Sequence, residues 1–342
     1  MHDKDRLSIA VMGAGLIGCY IGGVLAAGGA RVTLIGRPAY LAAIRANGLR
    51  VSDASGRDTL VAAEVVLTES PAAAAAADVV LITVKSDATA EAAAALAPHI
   101  AAGTPVLSLQ NGADNVAAIA AALPEARAFA GMVPFSVAER GPGHFHQATG
   151  SPVQIGTDPA LDRFADALTA GGLPPVRSAD MDGVLWGKLL VNLNNAINAL
   201  SGKTLAQEFA DRDYRRAWAL SIAEALDLLK AAGIRPASVL PLPVERMPLL
   251  LSLPNFLYRR IAARQKATVD RHARTSMADD LARGRRTEVD HLNGAVVRLA
   301  ERLGRKAPVN AKLVELMRAA EAGAPPIPGK RLRQALAAST RA

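Results

Sequence analysis

The sequence predicts an α/β protein: an N-terminal Rossmann domain with a doubly wound parallel sheet, followed by an all-helical C-terminal domain. Three observations predict it. Short aliphatic runs alternate with Ala-rich stretches through the first half, a glycine-rich turn follows the first run, and long helical periodicities take over near residue 180. Strands separated by helical stretches pair in parallel, because a parallel crossover needs about a dozen residues. The expected domains are 1–179, the Rossmann domain, and 180–342, the helical one. A chain of 342 residues suits two such domains better than one.

Taken in order, Leu7–Met12 (LSIAVM) reads as a strand and Ile17–Ala27 as a helix. Arg31–Ile35 is a second strand and Pro38–Ala46 a helix, with Gly48–Val51 and Ala62–Val66 as further strand candidates. Strands at Asp78–Thr83, Pro105–Leu109 and from Ala128 alternate with helices at Thr89–Ala97 and Asn115–Leu123. Beyond Asp180, helical periodicity covers Val184–Ala199, Tyr214–Ala232, Gln265–Gly284 and Glu288–Leu303, interrupted by the Pro-rich stretch Pro236–Pro248. The tail after Gly323 (APPIPGKRLRQ) reads as a Pro-stiffened, loosely held extension.

Composition excludes several classes. Half the residues are hydrophobic and only 4% aromatic, so a core of Ala, Leu, Val and Ile is expected, and general disorder is not. No apolar run approaches the roughly 18 residues of a membrane span, and the start, Met1-His2-Asp3-Lys4, lacks the pattern of a signal peptide. Cys19 is the only cysteine, so no intrachain disulfide can form. A cytoplasmic protein without a membrane partner is expected. The net charge of +8 comes from two stretches: Arg259–Arg286, with nine Lys/Arg against three Asp, and Arg302–Ala342, with nine against two Glu. Without interleaved aromatics these read as solvated helix faces, not as a nucleic-acid site.

Gly13-Ala14-Gly15-Leu16-Ile17-Gly18 has the form G-x-G-x-x-G, directly after a strand and opening a helix. In that setting Gly13 permits a tight turn, Gly15 lets the backbone approach a pyrophosphate, and Gly18 allows close helix packing. The helix start adds unpaired N–H groups and a positive dipole end. An NAD site usually ends its second strand with an acid for the ribose 2′-hydroxyl. Here the strand ends in Ile35-Gly36-Arg37, and no acid occurs from Arg31 to Ser52. A guanidinium holds a 2′-phosphate where an acid repels it, so NADPH is the expected cofactor.

Further polar residues stand where apolar ones would suffice. Lys85 and Asn111 fall at the carboxyl ends of two later strands, where ligands of open α/β sheets lie. In Trp186-x-Lys188-x3-Asn192, followed by Asn195, the spacing puts Lys188, Asn192 and Asn195 on one face of a helix. A lysine and a run of amides in an apolar helix are unfavourable to desolvate unless partners satisfy them. Ser276 and Arg286-Thr287-Glu288-Val289-Asp290-x2-Asn293-Gly294 form a third cluster, whose Thr287 and Glu288 fit equally well as an N-terminal helix signal. His144 and His146 face the same side of a strand, but no third ligand is near in sequence, so no metal is expected.

In this order, Gly13–Gly18, Lys85, Gln110-Asn111-Gly112, Trp186-x-Lys188-x3-Asn192, and Ser276-Met277 with the Arg286–Gly294 stretch resemble the ketopantoate reductase family over about residues 7–320. Pro142-Gly143-His144 through Gln154-Ile155-Gly156 resembles that family's strand pair closing the Rossmann domain. The resemblance implies NADPH-dependent reduction of a 2-keto acid, 2-dehydropantoate to pantoate, in pantothenate biosynthesis, by a monomer or homodimer. It implies Lys188 as general acid and Glu288 as the acid orienting the substrate. It also implies Asn111, Asn192 and Ser276 around substrate and nicotinamide, and Lys85 close to the cofactor; Asn195 is added as a substrate-binding candidate from the helix spacing alone. Two asparagines common in the family are Ala196 and Ala273 here. Both concern substrate, so a related reductase of another 2-keto or β-keto acid stays open, as does a non-catalytic NADPH sensor.

Overall fold

Four apolar residues after Ser8, Ile9 to Met12, make up the rest of the first strand, and the N-terminal unit is built outward from it. The computed structural model describes residues 6–148, 151–238, 243–264 and 273–341. They divide into two compact units, Met1–Met181 and Asp182–Ala342.

The first unit runs β1 (Ser8–Met12), α1 (Leu16–Ala27), β2 (Arg31–Ile35), α2 (Pro38–Asn47), β3 (Arg50–Asp53), β4 (Asp58–Leu60), β5 (Val65–Thr68) and β6 (Val79–Ile82). It continues with α3 (Thr89–Leu96), β7 (Pro105–Ser108), α4 (Asn115–Ala122), β8 (Arg127–Met132), β9 (Val137–Gly141), β10 (His144–Gln147), β11 (Gln154–Gly156), α5 (Asp162–Ala170) and β12 (Val176–Ser178). Eight strands form one sheet in the order β12-β11-β8-β7-β6-β1-β2-β5. Every pairing in it is parallel except β8 with β11. The chain winds from β1 through β2 to β5, then returns to the far side of β1 at β6, so the order reverses between β1 and β6. Alternation along β1 serves two cores: Ile9 and Val11 join the α1 and α5 side, while Ala10 joins Ala93, Leu96 and Ile119 of α3 and α4.

A second sheet, β4-β3-β10-β9, was not expected. It covers the outer side of α1, where Val51 and Phe145 are fully buried. The strand at Gly48–Val51 therefore belongs here, as β3, paired in parallel with β10 from some ninety residues later. The expected strand pair at 142–156 divides between sheets: β10 joins the small one and β11 the large one. Period-2 patterning marks a strand but carries no information about its partner.

Among its described residues the second unit has helices and no strand: α6 (Met181–Asn192, whose first residue closes the preceding unit), α7 (Asn194–Ser201), α8 (Leu205–Ala210), α9 (Arg212–Ala231), α10 (Met247–Ser252), α11 (Asn255–Arg264), α12 (Ser276–Ala282), α13 (Asn293–Arg302), α14 (Pro308–Glu321) and α15 (Gly329–Ser339). The single helix expected over 184–199 is interrupted at Leu193. Of the expected helix over 265–284, residues 265–272 lie outside the described ones, and the remainder is helical only from Ser276. The tail is not loose. After its prolines it forms α15, which packs on α9 with Leu332 and Leu336 fully buried. The Tyr214 hydroxyl donates to the Ile327 carbonyl at 2.8 Å, and Arg333 bonds Asp213 at 2.5 Å. Proline stops a helix without preventing the chain beyond it from docking.

Candidate functional site

In the first unit, the glycine turn sits at the carboxyl end of β1, beside the place where strand order reverses. Open α/β sheets bind ligands at such a point. Gly13 has φ +117°, and a Cβ there would lie 2.6 Å from the Val84 nitrogen that follows β6. At Gly18 a Cβ would lie 2.2 Å from the Gly13 carbonyl oxygen and 2.6 Å from the Thr83 hydroxyl. That hydroxyl donates to the Gly13 carbonyl at 2.7 Å, so the turn, α1 and the end of β6 are closed on one another.

Gly15 differs. A Cβ there would meet no protein atom nearer than 4.0 Å, and its φ of −100° is open to any residue. Internal packing therefore gives no reason for glycine at this position, whereas a phosphate brought against the backbone does. The amides of Gly13 and Ala14 are spent on the Ile35 carbonyl, each at 2.9 Å. Those of Leu16, Ile17 and Gly18 lie in the first turn of α1, where no helical carbonyl precedes them. These residues fit a pyrophosphate. Gly36, which the sequence reading passed over, is equally constrained: its Cβ would lie 2.4 Å from that of Ala14. Arg37 follows as the exposed N-cap residue of α2 and makes no ion pair among the described residues.

Lys85 is exposed just after β6, and Asn111 is half-buried after β7. A polar network that sequence reading did not anticipate ties their two loops together. Gln110 donates to the Val84 carbonyl at 2.8 Å and to Thr89 at 2.7 Å, and accepts from Ser108 at 2.9 Å. Ser86 and Asn115 both donate to the Asn111 carbonyl, at 3.0 and 2.7 Å. The backbone of Asn111 is thus held from two sides. Buried bonds of this kind fix one arrangement, because any unpaired member is costly.

In the second unit, α6 places Lys188 half-buried with the apolar Val184–Trp186 before it and Leu189–Val191 after it. Burial holds its pKa below the usual lysine value, and no ion pair among the described residues offsets this. Gly187 explains part of the local sequence: a Cβ there would lie 1.9 Å from the Ala237 carbonyl oxygen, where the 234–238 segment crosses the helix. Asn192 is buried at the end of α6 and Asn195 half-buried in α7, so one uninterrupted helix face does not carry Lys188, Asn192 and Asn195 together.

Asn198, fully buried on α7, joins these elements to Ser276. Its amide donates to Glu208 at 2.6 Å and to the Lys203 carbonyl at 3.1 Å. Its oxygen accepts from the backbone and hydroxyl of Thr275 at 3.0 and 3.2 Å. Thr275 caps α12 through the Ala278 amide, so exposed Ser276 stands at a helix start anchored to α7. Burial pushes the Glu208 carboxyl up to about 8, against the lowering effect of Asn198 and Asn194. Glu208 Oε1 and Asn194 Oδ1 have no hydrogen-bond partner among the described residues.

Half-buried Glu288 is not at a helix start; it lies in the turn five residues before α13, its carbonyl accepting from His291 and Leu292 at 3.0 and 3.1 Å. Thr287 caps nothing and instead bonds Glu321. Neither Glu208 nor Glu321 carried a local signal, because their partners are distant in the chain. His144 and His146 share the Ser52 hydroxyl at 2.7 and 2.8 Å, and no group of metal-ligating side chains occurs among the described residues.

A Rossmann sheet with this turn, joined to a helical unit, is the build of a nicotinamide-dependent oxidoreductase acting on CH–OH groups. Family comparison narrows it. Residues 9–159 match the model described as ketopantoate reductase PanE/ApbA, and residues 180–321 match its C-terminal counterpart. The chain is 34% identical to the 2-dehydropantoate 2-reductase of Halobacterium salinarum, over 92% of this chain and 99% of that one. It is 29% identical to the same enzyme of Mesorhizobium japonicum, over 91% and 97%. A solved PanE/ApbA family ketopantoate reductase from Ralstonia eutropha superposes with a TM-score of 0.79 at 33% identity, covering 92% and 99%. A D-mandelate dehydrogenase solved with NADH and anilino(oxo)acetate shares the fold, with a TM-score of 0.75 at 22% identity over 92% and 99%. The chain belongs to the ketopantoate reductase family. No helix among the described residues is long and apolar enough to cross a membrane.

Proposed function

We propose that the protein reduces the ketone of 2-dehydropantoate to pantoate with NADPH, a step of pantothenate biosynthesis. The observation that carries this is Lys188: an ammonium half-buried between apolar neighbours on α6, its pKa lowered by burial, within the Trp-x-Lys-x3-Asn pattern. When bound, the reduced nicotinamide supplies the hydride that converts the carbonyl carbon to CH–O. Lys188 stabilises the negative charge that develops on the oxygen and donates the proton that completes the hydroxyl. Glu288 accepts a hydrogen bond from that hydroxyl and orients the substrate, while Asn192, Asn195 and Ser276 supply polar contacts to it. Gly13 to Gly18 hold the pyrophosphate, and Lys85 and Asn111 border the nicotinamide end. Arg37 takes the 2′-phosphate, which makes NADPH the preferred cofactor. The homologue described as a dimeric ketopantoate reductase, from Staphylococcus aureus, makes a homodimer the natural assembly to test beside a monomer.

Ala196 and Ala273 favour a second reading, a related reductase of another 2-keto acid, since both stand where the family pattern has substrate asparagines. An NADPH-consumption assay over a panel of 2-keto acids separates the two. Turnover of 2-dehydropantoate far above the others is expected; preference for another acid would transfer the assignment to it, and cofactor binding without any turnover would leave a sensor. Cofactor choice is tested by Arg37→Ala. Its ratio of NADPH to NADH efficiency should fall about tenfold, the loss of one charge-assisted phosphate contact. An unchanged ratio removes Arg37 from the site.

A further inference from the structure

The last turn of α14 holds the chain on both sides of Glu288. Glu321 Oε1 accepts two hydrogen bonds from Thr287, 2.8 Å from its backbone N–H and 2.7 Å from its hydroxyl. The other oxygen of Glu321 accepts from Arg318 at 2.9 Å, and the same guanidinium also bonds the Asp290 carboxylate. Thr287 directly precedes Glu288, and Asp290 follows it by two residues. Between the end of α12 and the start of α13 no helix or strand orders this segment. Its turn is closed on the C-terminal side by the bonds of His291 and Leu292 to the Glu288 carbonyl. On the N-terminal side the Glu321 carboxylate is what meets the backbone.

Thr287 is only 2% exposed, so losing its acceptor would strand a buried N–H and a buried hydroxyl together. Burial works to raise the proton affinity of Glu321, but the two Thr287 bonds and Arg318 outweigh it and hold the carboxyl below the usual range. Glu321 is therefore ionised at neutral pH, and bonds to an ionised acceptor are roughly twice as strong as neutral ones.

We propose that Glu321, backed by Arg318, is a positioning residue for the reaction: it fixes the backbone entering Glu288 so that this carboxylate meets the substrate in a single orientation. The proposal rests on the reading of Glu288 given above. Its weight comes from geometry, since misplacing a reacting or orienting group by about 1 Å can lower turnover by about 100-fold.

The test is a cycle on the full chain: Glu321→Gln, Glu288→Gln and the double variant, assayed with NADPH and 2-dehydropantoate. Glu321→Gln keeps the shape and removes the charge. It should lower kcat about tenfold and raise KM for the keto acid severalfold, with the Kd for NADPH within about twofold of wild type. On the Glu288→Gln background the same substitution should change kcat less than about twofold, because the group it positions is already gone. A similar loss on both backgrounds, or wild-type turnover in Glu321→Gln beside an impaired Glu288→Gln, overturns the proposal and leaves the Glu288 assignment standing. Wild-type turnover in Glu288→Gln instead removes that assignment, and the proposal with it. If Glu321→Gln does not fold, Thr287→Val replaces it in the cycle. That variant deletes one of the two bonds to Glu321, and a loss of about threefold confined to the Glu288 background is expected.

Discussion

The candidate site residues of the two units are of different kinds. In the first, the site is mainly missing side chains: Gly13, Gly18 and Gly36 are glycines because neighbouring protein atoms stand less than 3 Å from where a Cβ would be. In the second it is present side chains, Lys188, Asn192, Ser276 and Glu288, whose surroundings come from residues tens of positions away, such as Asn198 on Thr275 and Glu321 on Thr287. A backbone site is therefore set by how closely the chain packs, as where Gly13 and Gly18 meet Val84 and Thr83, whereas a side-chain site depends on partners that hold each polar group. Gly15 stands apart from both, an unhindered glycine for which internal packing gives no reason.

The largest expected effect breaks the backbone site itself. Gly18→Ala pushes a methyl to 2.2 Å from a backbone carbonyl that cannot rotate away. It should destabilise the first unit by about 3 kcal/mol or more. A denaturation midpoint equal to wild type would show that α1 can shift freely. Lys188→Ala comes next. It should reduce kcat by about 100-fold or more while NADPH affinity, measured by fluorescence titration, stays as in wild type. Turnover near wild type would remove the proton donor from the scheme.

Gly15→Ala then sharpens the contrast with Gly18. Its stability should stay within about 1 kcal/mol of wild type or rise slightly, since alanine restricts the unfolded chain. NADPH affinity should fall by about tenfold or more, the methyl now occupying the approach of the pyrophosphate. Loss of stability together with affinity would mean the position is structural after all.

The last effect concerns Glu208 and shows only as a dependence on pH. Its carboxyl is pushed up to about 8 in the folded chain against an ordinary 4.5, so between those values the folded state binds more protons than the unfolded one. Stability from this group falls as pH rises through that window. Glu208→Gln lacks the titration and should gain stability relative to wild type between pH 5 and pH 9, followed by urea midpoints. Parallel midpoints at both pH values would mean the group is ionised throughout.

Much of the first unit was legible because its signals are local. Arg31–Ile35 and the turn at Gly13 carry their structural meaning within a few residues, through strand periodicity and the demands of a tight turn. The small sheet was not legible, because β3 and β10 pair across some ninety residues and each is only four residues long. In the second unit helix was readable and helix ends were not. Leu193 interrupts α6 and α7 without any proline or glycine, and α13 begins at Asn293, five residues later than Glu288 suggested. The docked tail was not legible, because prolines report where a helix stops, and Leu332 and Leu336 report only once α9 is in place to bury them.

By itself, then, the order of residues determined the alternation of strands and helices, the glycine turn after β1 and which polar groups are candidates for chemistry. All of these rest on backbone sterics and on periodicity within one element. Which strands share a sheet, why Gly187 must be glycine, that Glu208 holds its proton to about 8 and that Glu321 grips the segment before Glu288 were decided only by the folded structure. Each depends on burial or on a partner remote in the chain, and neither exists until the elements have packed.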